Sequence, residues 1–514
     1  MNLEILKIIQ EKGILLERDL FDLLGKFSDI SQARSFLDTL QMASGQKVIS
    51  TTSLSNHIAY VDQAVKNLSS EMQDIVQTTF IKLGLTLEVL QTTQLAPIEK
   101  KEETTRGGFG VFYSDTKNTK KIEVSDFVGH FRSRYQQIQR ILLQRADSKD
   151  LVSINKISKD RQRFSFIGIV SEKRATGNKN LIIKFEDLTG SVNGLVRLGG
   201  DCFSKANELQ LDDVVLVKAS GNNEIVFVQD IIYPDSFKEK VRFDEDAYIG
   251  FVSDIHAGSA KHLGNEFQRF MGWLNNDKET ASKIKYLFFV GDNVDGVGVF
   301  PGQERVLSTK SLKDQYNLLG SYLKQVPQNI TMFMCPGQHD SSRVAEPQPI
   351  IDKFYGEALY SIPNLVLVSN PSYVKLFEDD KVFNVLMYHG ASIHTFINEI
   401  EELRLLKAHK CPARAVCHML KRRHLSPSHS YVNYIPNREK DPLVISEVPD
   451  VLCTGEVHRL DIEMYNGTLI LTGSCWQSQT EFEEKVGNIP DPCKVPLFNL
   501  KTRELKILDF NMEK

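Results

Sequence analysis

Apolar positions near the start of the chain recur at helical spacing, with Leu3, Ile5, Leu6 and Ile9 followed by Leu20, Leu23 and Leu24 and polar residues between. The pattern predicts a small helical domain over residues 1–95. Between Pro97 and Lys121 the chain turns to charge, Thr and Gly, with too few apolar residues to build a core, so a flexible linker is expected over 96–120. The stretch FVGHFRSRYQQIQRILLQR then sets Phe127, Phe131, Tyr135, Ile138 and Leu142 on one helical stripe, a connecting helix within 121–150. From 151 to 240 the texture changes to short β runs separated by turn residues: FSFIGIVSEK, NLIIKFEDLTGSVNGLVRL, DDVVLVKAS and EIVFVQDIIY. About five strands at this spacing suggest a small OB-type barrel. Its Phe164, Phe166 and Phe185 suit base stacking, but at alternating strand positions they are better read as core. From 241 to 514 strand and helix alternate. AYIGFVSD, KYLFFVGD, ITMFMCPG and FNVLMYHG are apolar runs, and LGNEFQRFMGWL and LKDQYNLLGSYL between them carry helical spacing. The expectation is an α/β (α+β layered) domain with ligands gathering beyond the carboxyl ends of its strands.

A chain of 514 residues, 41% hydrophobic and 25% charged, fits several globular domains and is neither disordered nor membrane-like. No apolar run approaches the roughly 18–20 residues a membrane span needs, and a cytoplasmic protein is expected. The seven cysteines are scattered and never spaced as CxxC, which encodes neither a disulfide framework nor a cysteine zinc site. A net charge of −4 excludes nucleic-acid binding by bulk electrostatics alone, so any DNA contact must be local. Between Arg404 and Arg438 no acidic residue occurs while basic residues accumulate, and Arg414, Lys421, Arg422 and Arg423 become candidate DNA contacts. A solvated helix face explains the same run equally well.

Chemistry-bearing side chains stand where the strands end: Asp254 and His256 in SDIHAGS, Asp292 and Asp295 in GDNVDGVG, Gln338, His339 and Asp340 in PGQHD, His389 in YHG, and Glu456 and His458 in TGEVH. One such residue is usually structural or solvated, but clusters at successive strand ends point to a shared centre. Carboxylate, amide and imidazole together suit Mn²⁺, Mg²⁺ or Fe, with Zn²⁺ as a further option. Two divalent cations roughly 3.5–4 Å apart, sharing one carboxylate, would clamp a phosphate and lower the pKa of a water, chemistry that hydrolyses phosphate esters.

The order DxH, GDxxDG, PGxHD, H, GxxH resembles the calcineurin-like metallophosphoesterase superfamily, a β-sandwich flanked by helices. The phrases GDNVDGVGVFPGQE, PGQHDSSRVAEPQP, YHGAS, RRHLSP and WQSQTEFEEKVGNIPDP resemble more closely the small subunits of archaeal family-D DNA polymerases, over about residues 120–500. The resemblance implies that Asp254, His256 and His458 hold one cation, that Asp292 bridges, and that Gln338, His389 and Glu456 hold the second. It further implies that His339 is the general acid and that Asp295 orients it. Two divalent cations are implied as cofactors, Mn²⁺ foremost. The implied partners are DNA with a 3′ end and the large catalytic subunit of the polymerase.

Two positions depart from the superfamily pattern, where PGNHD becomes PGQHD and GHxH becomes GEVH. Gln338 keeps an amide oxygen on a longer side chain, and Glu456 puts a carboxylate in place of an imidazole, favouring hard cations and slowing catalysis. The sequence therefore leaves three functional readings: a metal-dependent 3′–5′ DNA exonuclease that proofreads within a polymerase, an accessory scaffold subunit with a weakened or inactive centre, and a phosphatase of proteins or small molecules. The barrel and the family phrases weigh against the third.

Overall fold

The apolar runs become strands and the amphipathic runs become helices in the computed structural model, which describes residues 2–27, 29–44, 48–49, 72, 76, 108–112, 121–145 and 151–511. The chain divides into two units, Met1–Ala96 with Tyr135–Pro234, and Pro97–Arg134 with Asp235–Lys514.

The first unit has two cores. Helices α1 (Asn2–Lys12), α2 (Arg18–Leu24) and α3 (Ile30–Ser44), with the short parallel pair β1 (Leu15–Leu16) and β2 (Val48–Ile49), enclose Ile5, Leu20, Leu23, Phe27, Phe36 and Leu40. The helices over Asn2–Ser44 follow the 3.6-residue spacing; most of residues 50–95, the rest of the expected helical domain, lie outside the described residues. The second core is a closed barrel of β4 (Gln162–Ala175), β5 (Leu181–Glu186), β6 (Ser191–Val196), β7 (Val214–Gly221) and β8 (Ile225–Ile232), in the order β4-β5-β6-β8-β7. Alternation along β5 turns Leu181, Ile183 and Phe185 inward, and the 14-residue β4 pairs with both β7 and β5 to close the wall. Phe164, Phe166 and Phe185 all point into this core, with Phe166 and Phe185 fully buried and their rings 5.5 Å apart, so none offers a face to a base.

In the second unit two six-stranded sheets lie face to face. One has the order β12-β11-β10-β9-β18-β19, built from β9 (Tyr248–Val252), β10 (Ile284–Val290), β11 (Thr331–Cys335), β12 (Leu365–Leu367), β18 (Lys494–Asn499) and β19 (Leu505–Asp509). The other, β16-β17-β15-β14-β13-β3, is built from β3 (Phe109–Phe112), β13 (Ser372–Glu378), β14 (Lys381–Met387), β15 (Val451–Thr454), β16 (Asp461–Tyr465) and β17 (Thr468–Thr472). Phe251, Phe288, Val290 and Phe333 of the first sheet pack against Val374, Val385, Met387 and Leu471 of the second. The outer face of the first sheet is covered by helices α5 (Gly264–Asn276) and α6 (Leu312–Leu323), and that of the second by α7 (Ile393–Glu399) and α8 (Ala413–Arg422). Burial on both faces explains why β9, and β10 from Tyr286 on, read as unbroken apolar runs. Strands β9, β10, β11 and β12 run parallel, as do β14, β15 and β17.

Two boundaries differ from expectation. The segment read as linker over 96–120 contains β3, which pairs antiparallel with β13 and buries Phe109 and Val111 between the sheets; the other described residue there is Gly108. Four residues with two inward side chains suffice for an edge strand when a partner is already present, and local composition does not register that. The connecting helix appears as α4 (Val124–Leu143), and the division between the units falls inside it, at Arg134. Among the described residues no helix is long and apolar enough to cross a membrane.

Candidate metal centre

Each parallel strand of the second unit delivers its polar residues to one place, because strands pointing the same way end on the same side. Asp254 and His256 follow β9, Asp292 and Asp295 follow β10, Gln338 and His339 follow β11, His389 follows β14, and Glu456 and His458 follow β15. Single ligand atoms of Asp254, His256 and His458 lie within 4.8 Å of one another, as do those of Asp254, Asp292 and His389. His389 Nε2 is 3.3 Å from both Asp292 Oδ2 and Glu456 Oε2, and His458 Nε2 is 3.5 Å from Asp254 Oδ1. Side chains separated by two hundred residues thus form one cluster, buried at Asp254, His389 and Asp292 and half-open at His339 and His458.

The orientation of the imidazoles carries the chemistry. His256 Nδ1 lies 3.0 Å from Asp295 Oδ1, and His458 Nδ1 3.0 Å from Glu483 Oε1. His389 Nδ1 lies 3.0 Å from the Val290 carbonyl, and His339 Nδ1 2.6 Å from the Asp295 carbonyl. An acceptor at Nδ1 places the hydrogen of a neutral ring there and leaves Nε2 as a bare lone pair. In all four rings Nε2 faces the cluster. His256 Nε2 and His458 Nε2 are only 3.1 Å apart, a repulsive approach unless a proton or a cation lies between them. Two nitrogens each about 2.0–2.1 Å from one cation would have about this separation. Asp254 Oδ2 is buried without a donor. The donor set therefore fits cation binding, and the fixed Nδ1 partners are contacts of the kind that hold a metal-binding imidazole in place.

Charge follows from the same contacts. Burial works against ionisation of Asp292, but the neighbouring His389 and His339 imidazoles hold its carboxyl well below the usual carboxylate range. Burial also opposes protonation of His339, and the Asp292 charge with the Asp295 carbonyl outweighs it, so His339 holds a proton more tightly than an ordinary imidazole.

Backbone geometry at the centre is strained. Asp254, His256, Asp292, Glu456 and His458 all have φ between 45° and 73°. Non-glycine residues rarely adopt this left-handed region, although Asp and His tolerate it better than most. Close approach does the rest: a Cβ on Gly337 would sit 2.2 Å from Asp292 Oδ1, and one on Gly455 2.5 Å from Asp254 Oδ2.

Three expected roles change in the fold. The family resemblance has Asp295 orient His339 through its carboxylate; the carboxylate instead meets His256, and the backbone carbonyl meets His339, because the turn after β10 runs between both rings. Gln338 does not turn an acceptor toward its neighbour: its Nε2 donates to Glu456 Oε2 at 2.7 Å. Arg422 and Arg423 are buried, 2% and 4% exposed, and Arg423 donates to the carbonyls of Ile445 and Ser446 and to Ser236 Oγ. Neither is presented to DNA, since α8 ends inside the fold. Arg414 is exposed and pairs with Glu463, and Lys421 is half-buried.

Several participants were given no role by the strand-end pattern. Glu483 closes a capping box with Thr480 at the start of α9 (Glu481–Val486), and its other oxygen meets His458. The TxxE spacing announces the cap but not the imidazole. Asp340, named among the strand-end residues without a role, accepts from Gly337 N, Asn293 N and the Tyr316 hydroxyl, fixing the turn that carries His339. Asn370 Oδ1 receives the His389 backbone N–H. His394, at the rim, has Nε2 3.9 Å from Glu456 Oε1, and its ring lies tilted 5.4 Å from that of His409.

A family model that describes the B subunits of DNA polymerases alpha and epsilon matches residues 249–460. The chain is 35% identical over 404 residues to the DNA polymerase II small subunit of Pyrococcus furiosus, a match covering 76% of this chain and 64% of that protein. It is 34% identical over 409 residues to the DNA polymerase II small subunit of Methanothermobacter thermautotrophicus, covering 77% and 82% respectively. For the protein of the same name from Thermoplasma acidophilum the identity is 34% over 415 residues, covering 79% and 82%. The chain thus spans less than two thirds of the length of the Pyrococcus relative and about four fifths of the other two.

Proposed function

The chain belongs to the archaeal DNA polymerase II small-subunit family, and from that membership we propose that its second unit is a two-cation phosphodiesterase of metallophosphoesterase type that removes nucleotides from the 3′ end of DNA. The observation that carries this reading is the convergence of four imidazole Nε2 atoms with Asp254 and Asp292 in one cluster. Asp254, His256 and His458 would hold one cation, His389 and Glu456 the other, and Asp292 would be shared. Divalent cations held there supply Lewis acidity toward a phosphodiester and bring the pKa of a water toward neutrality. Mn²⁺ suits the mixed nitrogen and oxygen donors best, with Mg²⁺, Fe and Zn²⁺ as alternatives.

The chain's own residues do the remaining work. His339, its Nδ1 anchored on the Asp295 carbonyl, directs Nε2 toward the cluster and holds a proton there for the leaving oxygen. Asp295 and Glu483 fix the tautomers of His256 and His458. The barrel is read as an OB-type module whose core aromatics serve its own packing, leaving it a role in docking the large catalytic subunit of the polymerase. The test is release of nucleotides from a 3′-labelled DNA strand in the presence of Mn²⁺. The expected result is activity that Asp292→Asn reduces by at least a hundredfold, about 2.7 kcal/mol of transition-state stabilisation. Equal hydrolysis by the variant would refute the assignment.

One observation favours a second reading, an accessory scaffold with an attenuated centre: Gln338 spends its amide on Glu456. A folded protein that binds its large subunit but neither takes up Mn²⁺ nor releases nucleotides would establish it.

A further inference from the structure

The two halves of the cluster differ in chemistry. On one side His256 Nε2 and His458 Nε2 stand 3.1 Å apart beside Asp254, so two imidazole nitrogens dominate. On the other, a single nitrogen, His389 Nε2, lies 3.3 Å from each of two carboxylate oxygens, Asp292 Oδ2 and Glu456 Oε2. His389 is fully buried, and its Nε2 has no partner at hydrogen-bonding geometry. Glu456 is held from several directions. Its Oε2 accepts the Gln338 amide N–H at 2.7 Å, its Oε1 faces His394 Nε2 at 3.9 Å, and its backbone N–H donates to Asp254 Oδ1 at 3.1 Å.

A carboxylate only accepts, so the Gln338 amide must present its nitrogen to Glu456, which turns the amide oxygen away from that carboxylate. The extra methylene of Gln over Asn gives the side chain this reach. We propose that Gln338 is a positioning residue that straps Glu456 in place, and that Glu456 makes the second cation position oxygen-rich, so that the two positions of one centre discriminate between metals. This rests on the two-cation reading above. The nitrogen-rich position retains a borderline metal such as Zn²⁺, while the oxygen-rich position exchanges it for Mn²⁺. Affinity for N and O donors generally rises from Mn²⁺ to Zn²⁺, so the difference appears as how readily each position gives up Zn²⁺, not as a reversal of preference.

The experiment loads the full-length protein with Zn²⁺, dialyses it against Mn²⁺ in roughly hundredfold excess, and counts both metals per chain by elemental analysis. The expected wild-type result is one Zn²⁺ retained and one replaced by Mn²⁺. In Glu456→His both Zn²⁺ ions should stay. Gln338→Met, which cannot donate, should weaken the second ion about tenfold and leave the first unchanged, the size expected for loss of an outer contact to a ligand. Far-ultraviolet circular dichroism identifies variants that fail to fold, and for these a Mn²⁺-loaded crystal of the wild type decides instead. An amide oxygen of Gln338 within about 2.3 Å of the ion would overturn the strap. Retention or exchange of both Zn²⁺ ions in the wild type, or unchanged affinities in a folded Gln338→Met, would overturn the proposal while leaving two cations in the centre. Failure of every variant and of the wild type to bind either metal would overturn the two-cation reading itself.

Discussion

What distinguishes the centre at the scale of single residues is less the presence of ligating side chains than the way each is held. Four histidines present Nε2 because four acceptors occupy Nδ1, and five residues accept left-handed backbone to reach the cluster. Such geometry persists only where the surroundings enforce it. Gly337 is one enforcer, since its missing side chain leaves space for the Asp292 carboxylate. Gly337→Ala should therefore displace Asp292, lowering stability by about 1–3 kcal/mol and weakening Mn²⁺ uptake. Urea denaturation and metal titration check both effects, and a variant with wild-type values for each would show that Asp292 has room to spare. At this scale the sequence placed these side chains at strand ends that the fold brings together, but it did not name their partners. Arg422 and Arg423 show why: a charged residue reads the same in sequence whether its guanidinium meets water or two backbone carbonyls.

At the scale of elements, the first half of α4, which belongs to the second unit, is held there by a buried polar knot. Asp441 Oδ2 accepts from Arg134 Nε at 2.6 Å, and both His424 Nε2, at 2.9 Å, and His130 Nε2, at 3.3 Å, approach the same oxygen. The Ser426 backbone N–H donates to His424 Nδ1, so a neutral ring carrying its hydrogen on Nε2 satisfies both contacts. Burial, then the Arg134 guanidinium, push the His424 imidazole down to about 4 from its ordinary 6.5. The unfolded chain takes up this proton near 6.5 and the folded chain only near 4, so stability falls as pH drops through that window. The slope from this group is about 1.4 kcal/mol per pH unit. Urea midpoints measured at pH 7 and pH 5 should differ less in His424→Gln than in the wild type; an identical difference would exclude His424 as the source. The α4 helix was legible from its apolar stripe, because that signal is local. The β3 strand was not, because Phe109 and Val111 owe their burial to β13, far along the chain.

For the whole molecule, the proposed cation binding would be linked to folding in the second unit alone, since the described donors of the centre all belong to it. At a Mn²⁺ concentration a hundred times the dissociation constant the linkage amounts to about 2.7 kcal/mol. Hydrogen exchange should therefore slow in β9, β10, β14 and β15 on adding Mn²⁺ and stay unchanged in the barrel strands β4–β8. Asp292→Asn should remove the response. Protection that rose equally in the barrel would contradict a centre confined to the second unit.

The sequence by itself determined the succession of helical, barrel and layered α/β segments, and it determined that Asp254, His256, Asp292, His339, His389 and His458 stand at strand ends. Periodicity and turn residues are local properties, and parallel strands ending on one side bring their termini together whatever the details. Only the tertiary structure decided which nitrogen of each imidazole faces the cluster, that Asp295 serves His256 with its carboxylate and His339 with its carbonyl, and that Gln338 donates to Glu456. Those outcomes depend on hydrogen-bond partners contributed by distant segments, and a partner's direction in space leaves no trace in the spacing of residues along the chain.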